Sequence, residues 1–155
     1  MNNNDVFRSI QLILNINDKM AVDIFKLADY VIDPAIVSGF TKEANDPVYI
    51  NCTNKQILLF LDGLITQRRG KLQENQSEIK KILPPLSNNV ICKKLRIAFN
   101  LQEDNLKELL SLADFDVSKN ELSAISRRLG HKHYRECSDD FLMAFLVGLT
   151  FKQWS

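Results

Sequence analysis

Apolar positions Ala21, Ile24, Phe25 and Ala28 fall three and four residues apart, and the same spacing returns at Leu106, Leu109, Leu110 and Ala113. This is the stripe of an amphipathic helix, whose 3.6-residue period puts such positions on one face. The two stripes are 85 positions apart, and that interval holds for most of the chain. Residues 4–70 lie on 89–155 without a gap, with 12 of the 67 pairs identical. Among the matches are Asn15 with Asn100, Leu27-Ala28-Asp29 with Leu112-Ala113-Asp114, Ser38 with Ser123 and Tyr49 with Tyr134. Cys52 meets Cys137, and Phe60, Leu61, Gly63 and Leu64 meet Phe145, Leu146, Gly148 and Leu149. A repeat of this kind marks duplicated structural units.

Each unit predicts four helices. The first covers Asp5–Leu14 and Val90–Phe99, the second Asp18–Asp29 and Glu103–Asp114. The third begins at Asp33-Pro34 in one copy, a capping residue with proline at the first helical position. In the other it begins at Ser118 with Glu121 three residues on, a capping box. The fourth begins at Thr53 with Gln56, and at Ser138. Strand-like alternation is missing, so the chain reads as all-α. Two tandem four-helix repeats (1–70 and 89–155) would pack around a shared core with pseudo-two-fold symmetry, joined by a connector over 71–88. The fourth helices are apolar on more than one side and so central. Gly63 and Gly148 inside them each cost about 1 kcal/mol relative to alanine. Their shared position implies close approach of another helix, with the two fourth helices meeting across the pseudo-two-fold as the expected arrangement.

Composition changes this picture little. With 45% hydrophobic and 25% charged residues the chain is globular, and 20 basic against 19 acidic side chains leave no bulk pull toward nucleic acid or membrane. No apolar run reaches the roughly 18–20 residues of a membrane span, and the start has no secretory pattern. Cys52, Cys92 and Cys137 form no CxxC pair and read as reduced thiols, which favours a cytoplasmic location.

The stretch HKHYREC (His131–Cys137) is the one with an aspect of chemistry. Its counterpart in the first copy is DPVYINC (Asp46–Cys52), so tyrosine and cysteine recur while both histidines and Arg135 do not. Recurrence marks Cys52 and Cys137 as scaffold, each before a helix cap where an apolar residue packs on the fourth helical residue (Ile57 and Leu142). A zinc site would require His131, His133 and Cys137 to converge with a further ligand such as Cys92, and the spacing is no metal signature; no metal and no cofactor are expected. A thiol near a helix N-terminus keeps a cysteine-based enzyme or redox sensor as an alternative.

The basic side chains Arg127, Arg128, Lys132 and Arg135 have no acid among them, whereas Lys42 in the first copy is offset by Glu43 and Asp46. This second-copy edge is the candidate surface for nucleic acid or an acidic partner. The second helix, turn and third helix also have a helix-turn-helix outline, which would put the arginines late on the third helix. Asp139-Asp140 reads as acids favouring a helix N-terminus, not as a catalytic pair. Asp62, on a stripe with Lys55, Thr66 and Arg69, is expected to face water, and Lys93, Lys94 and Arg96 read as a solvated helix face, with joining the basic patch as the second reading. The polar stripe Asp62, Thr66, Arg69 becomes Val147, Phe151, Trp154 in the second copy. Such an apolar stripe needs cover, from the connector's Ile79, Ile82 and Leu83 or from a second subunit in a homodimer.

At KKLRIAF (Lys93–Phe99), HKHYRECSDDFL (His131–Leu142) and FLDGLITQRRG (Phe60–Gly70) the sequence resembles the bacterial YehS-like family, whose members carry a domain of unknown function twice per chain. The resemblance implies a small helical protein and no established activity or catalytic residue. The resulting expectation is a non-catalytic interaction or regulatory module. It would meet a protein partner or a second copy through Val147, Phe151 and Trp154. Weak nucleic-acid binding through the basic edge is the alternative, with no role at a membrane.

Overall fold

A computed structural model describes residues 1–70 and 83–154. Among the described residues there are eight helices and no strand: α1 (Asn3–Leu14), α2 (Asp18–Leu27), α3 (Pro34–Phe40), α4 (Asn54–Arg69), α5 (Asn88–Ala98), α6 (Glu103–Leu112), α7 (Lys119–Ser126) and α8 (Asp139–Leu149). None of them is long and apolar enough to cross a membrane.

Local chemistry sets most of these boundaries. Asp33, Thr53, Ser118 and Ser138 accept hydrogen bonds from backbone N–H groups in the first turns of the helices they precede, which are otherwise unsatisfied donors. At the other ends, Asn15 and Asn100 close α1 and α5 with φ of 54°, and Asp29 and Asp114 follow α2 and α6 with φ of 58° and 59°. These are all the non-glycine residues with positive φ among the described residues, and all lie at positions identical in the two copies. Left-handed backbone disfavours most side chains but tolerates Asn and Asp, so the need to end a helix this way accounts for those identities.

The repeats interlock reciprocally: α4 of the first packs along α5 of the second, and α8 of the second touches α1 of the first. A single apolar core runs through both. The α4–α5 contact is the more extensive, and it contains an ion pair between Lys94 Nζ and Asp62 Oδ1 at 2.5 Å. Asp62 keeps about a third of its side chain in water, as its stripe suggests, and also ties one repeat to the other, with its side chain 35% exposed and that of Lys94 17%.

The glycines correct one expectation. Close approach is real, but the neighbour is the second helix of the same repeat. A Cβ at Gly63 would lie 2.0 Å from the Ile24 carbonyl oxygen, and one at Gly148 would lie 2.3 Å from that of Leu109. Ile24 and Leu109 are themselves equivalent positions, so both repeats use one backbone-to-backbone contact to seat α4 on α2 and α8 on α6.

The two cores are filled differently. In the first repeat the Phe7 ring packs on those of Phe25, Phe40 and Phe60, with centroids 6.4, 5.4 and 4.8 Å away. The equivalent residues of the second are Cys92, Leu110, Ile125 and Phe145. One ring survives of four.

Candidate functional site

The fourth helix of each repeat is preceded by a loop held by a single asparagine. Asn4 Nδ2 donates to the carbonyls of Phe40 and Ile50 at 3.0 and 2.9 Å, and its Oδ1 accepts from the Cys52 amide at 3.0 Å. Asn89 does the same with Ile125, Arg135 and Cys137 at 3.1, 2.8 and 2.8 Å. Each amide thus fixes the end of the third helix, the loop and the cysteine before the fourth. Asn3 and Asn88 add bonds to the Cys52 and Cys137 carbonyls. These clamps went unrecognised as structural from sequence, although the paired asparagines opening each repeat were their signal.

Held in this way, residues 127–136 form an exposed edge. The helix α7 ends at Ser126 and Arg127 is already extended, so the arginines follow the helix instead of lying on it; the helix-turn-helix outline does not extend to their placement. Arg127, Arg128, Lys132 and Arg135 are all exposed. Arg135 reaches Glu121 at 3.9 Å, a loose contact between two solvated groups of little energetic weight. Glu121 has a carboxyl held below its usual range, first by the Ser118 backbone hydrogen bond and then by the Ser118 hydroxyl. The histidine stretch is local structure, with the His133 amide donating to His131 Nδ1 at 3.0 Å.

Cys137 points away from the histidines into the core, where its Sγ lies 3.4 Å from that of Cys92. Among the described residues no three potential ligands come together as a metal would require. The thiol chemistry is that of buried groups. Burial pushes Cys52 up to about 12, and the Cys137 sulfur together with burial holds Cys92 well above the usual thiol range. At the start of α8, Asp139 ties that helix to α5: it accepts from Asn88 Nδ2 at 2.7 Å, which holds its carboxyl below the usual range.

The stripe Val147, Phe151, Trp154 is divided. Because α8 stops at Leu149, Phe151 and Trp154 belong to the turn after it. Trp154 is half-buried: its ring packs on Phe99 at 4.7 Å and its Nε1 donates to the Leu149 carbonyl at 2.8 Å. Arg68 of α4 lies over the Phe99 ring at 4.7 Å and extends to the Trp154 ring. Val147 and Phe151 are exposed, and so is Met143, one turn before Val147. Of the proposed cover, Ile79 and Ile82 lie outside the described residues and Leu83 is half-buried.

Beside the basic edge lies a cleft of about 1010 Å³ between α5, the end of α7 and the segment preceding α5. Val90, Cys92, Ile97, Leu122, Ile125 and Phe141 form an apolar floor; Arg69, Lys93, Arg96, Arg127 and Arg128 stand around it, with Glu136 the single acid in the lining. Arg96 spans the cleft to Ser126 Oγ at 2.6 Å, and Arg69 bonds the Ile97 carbonyl at 2.9 Å. Lys93, Arg127 and Arg128 make no ion pair among the described residues. In the sequence Lys93 and Arg96 read first as a solvated helix face, with joining the basic patch as the second reading.

The first repeat shows what this replaces. Asp5, Arg8, Lys42 and Glu43 correspond to Val90, Lys93, Arg127 and Arg128, so a rim of two acids and two bases becomes one of three bases. Arg8 there is bound to Asp5 at 2.5 Å and to the Lys42 carbonyl at 3.3 Å. What remains is a shallow depression of about 440 Å³ lined by Arg8, Glu43, Ala44 and Asn45.

The model of the family described as "Protein of unknown function (DUF1456)" matches residues 3–70 and again 88–153. The chain belongs to this family. Both matched segments begin at the paired asparagines, and each holds one complete four-helix repeat. The chain is also similar to "Uncharacterized protein YehS" of Escherichia coli (strain K12), with 35% identity over 156 residues, 99% of this chain and 97% of that protein. No solved structure matches it.

Proposed function

We propose that this DUF1456 chain is a non-catalytic interaction module that engages an acidic partner through the cationic edge of its second repeat. The observation carrying this reading is that Arg127, Arg128 and Lys132 are exposed and without ion pairs among the described residues, where the first repeat offsets its charges with Asp5 and Glu43. Unpaired clustered cations raise the local concentration of anionic partners, and such attraction is screened by salt. The buried, protonated state of Cys52 and Cys92 supports the non-catalytic part of the reading, because the thiolate is the nucleophile.

The test is fluorescence anisotropy of labelled poly-glutamate and of labelled mixed-sequence DNA and RNA, titrated with the protein at low and moderate salt. Binding should weaken with salt and vanish when Arg127, Arg128, Lys132 and Arg135 become alanine. Preference for the nucleic acids would make them the partner class; no binding to any probe at low salt removes the reading.

A second reading, self-association or a protein partner on α8, is favoured by the exposed row Met143, Val147 and Phe151. Sedimentation of Val147→Ser/Phe151→Ser beside the unaltered chain decides it: a purely monomeric unaltered chain rules out self-association.

A further inference from the structure

We infer that the second-repeat cleft binds one amphiphilic anion, a molecule with an alkyl or aryl body and a carboxylate or phosphate head. This goes beyond the proposed interaction with an acidic partner, with which it shares only Arg127 and Arg128.

The body is argued from the floor. In the first repeat the Phe7 and Phe40 rings meet at 5.4 Å and close the core. Their counterparts Cys92 and Ile125 are smaller, and both line the cleft. The cleft lies over these smaller side chains, and Val90, Leu122 and Phe141 complete its apolar floor, with Val90 and Phe141 standing where the first repeat has Asp5 and Gln56. The volume, about 1010 Å³, is at the upper end of what small-molecule sites enclose. Apolar walls of this kind favour a hydrocarbon body because they release poorly bonded water.

The head is argued from the rim. Lys93, Arg127 and Arg128 are cations without ion-pair partners among the described residues, and Arg96 already crosses the cleft to Ser126. Among the described residues of the lining, Glu136 alone opposes them. The same two substitutions that removed the first repeat's acids, Asp5 to Val90 and Glu43 to Arg128, add apolar surface to the floor and charge to the rim. A guanidinium fork suits carboxylate and phosphate oxygens. A neutral amphiphile would leave these cations uncompensated, and a cationic one would be repelled.

The experiment is calorimetric titration of the full chain with monomeric decanoate, decyl phosphate, decanol and decyltrimethylammonium. Both anions should bind at one site and weaken with salt, with decanol at least tenfold weaker and the cation silent. Two variants carry first-repeat residues into the second. Ile125→Phe refills the floor as Phe40 does, and Arg128→Glu restores the Glu43 charge; each should weaken decanoate tenfold or more. Ile125→Phe should leave anisotropy with poly-glutamate and nucleic acid unchanged, which separates failure of this inference from failure of the proposed interaction. Should Ile125→Phe lose its cooperative helical melt, Arg128→Glu on the exposed rim carries the test. Equal affinity for decanol, or decanoate binding indifferent to both folded variants, overturns the inference. So does binding confined to phosphatidylglycerol vesicles with none to monomeric anions, since the source would then be a membrane surface and not the cleft.

Discussion

The first repeat closes its centre with four phenylalanine rings and offsets its rim charges, whereas the second keeps the same helices, turns and asparagine clamp but holds one ring at those four positions and a cationic rim. Duplication of a scaffold permits this division. Helix ends, left-handed turns and the Gly63–Ile24 type of contact are constraints of backbone geometry, so both copies must meet them. Side-chain volume at Phe7 or Cys92 and charge at Glu43 or Arg128 are not so constrained. The difference teaches that duplication fixes the scaffold and leaves side chains at such positions free to diverge, with the interlocking α4–α5 contact joining both copies in one core.

The largest expected break in this comparison comes from the core. Phe7→Ala should cost about 3–5 kcal/mol, because it empties a site packed on three rings. Cys92→Ala removes one sulfur next to a cleft and should cost roughly 1 kcal/mol. Urea denaturation of the two variants measures both; equal losses would show that the second core is as tightly filled as the first.

Next are the clamps. Asn4→Ala strands two carbonyls and the Cys52 amide, and an unsatisfied buried group costs about 1–3 kcal/mol. We expect about 3 kcal/mol at the fully buried Asn4 and about 2 kcal/mol at the half-buried Asn89. A larger loss at Asn89 would show that burial does not set the weight of the two clamps.

Smaller still, Gly63→Ala and Gly148→Ala set overpacking of about 1–3 kcal/mol against a helix gain of about 1 kcal/mol. Gly63, with 2.0 Å of clearance against 2.3 Å, should lose more. Thermal melts of the pair check the order, and a stabilised Gly63→Ala would refute the backbone contact with Ile24.

The smallest effect sharpens the comparison through pH. Cys52 keeps its proton in the folded state up to about 12, while the unfolded thiol ionises at its ordinary value of 9.0. Its contribution is therefore complete below pH 9 and is lost as pH rises toward 12, at roughly 1 kcal/mol per pH unit. Cys92, raised in the same direction, adds a loss of the same sign from the second repeat. Urea midpoints of the unaltered chain, Cys52→Ala and Cys92→Ala between pH 8 and 10.5 apportion it; a pH-independent midpoint would contradict both shifts.

Much of this architecture was legible because its signals are local. Capping residues Thr53, Ser118 and Ser138 act within one turn, and the 3.6 period of Ala21, Ile24 and Phe25 needs no partner to be read. Asp62 was legible only in part: its stripe fixes which face it shares, and that this partly solvated face also meets Lys94 depends on where α5 packs. The basic edge was legible as charge, but Lys93 and Arg96, 30 or more positions earlier in the chain than Arg127, joined it only through folding. Trp154 read as part of a helical stripe because periodicity does not reveal that α8 ends at Leu149.

By itself, then, the sequence determined eight helices, the caps of the third and fourth in each repeat, and the duplication, since each depends on hydrogen bonds and periodicities spanning a few residues, or on self-similarity visible along the chain. Only the tertiary structure decided that the central glycines face the second helix of their own repeat, that Asp62 binds Lys94, and that Cys92 and Ile125 line a cleft rimmed by cations without ion pairs among the described residues. Those are meetings of residues distant in sequence. Their energies depend on separation, burial and the company of other side chains, none of which exists until the helices pack.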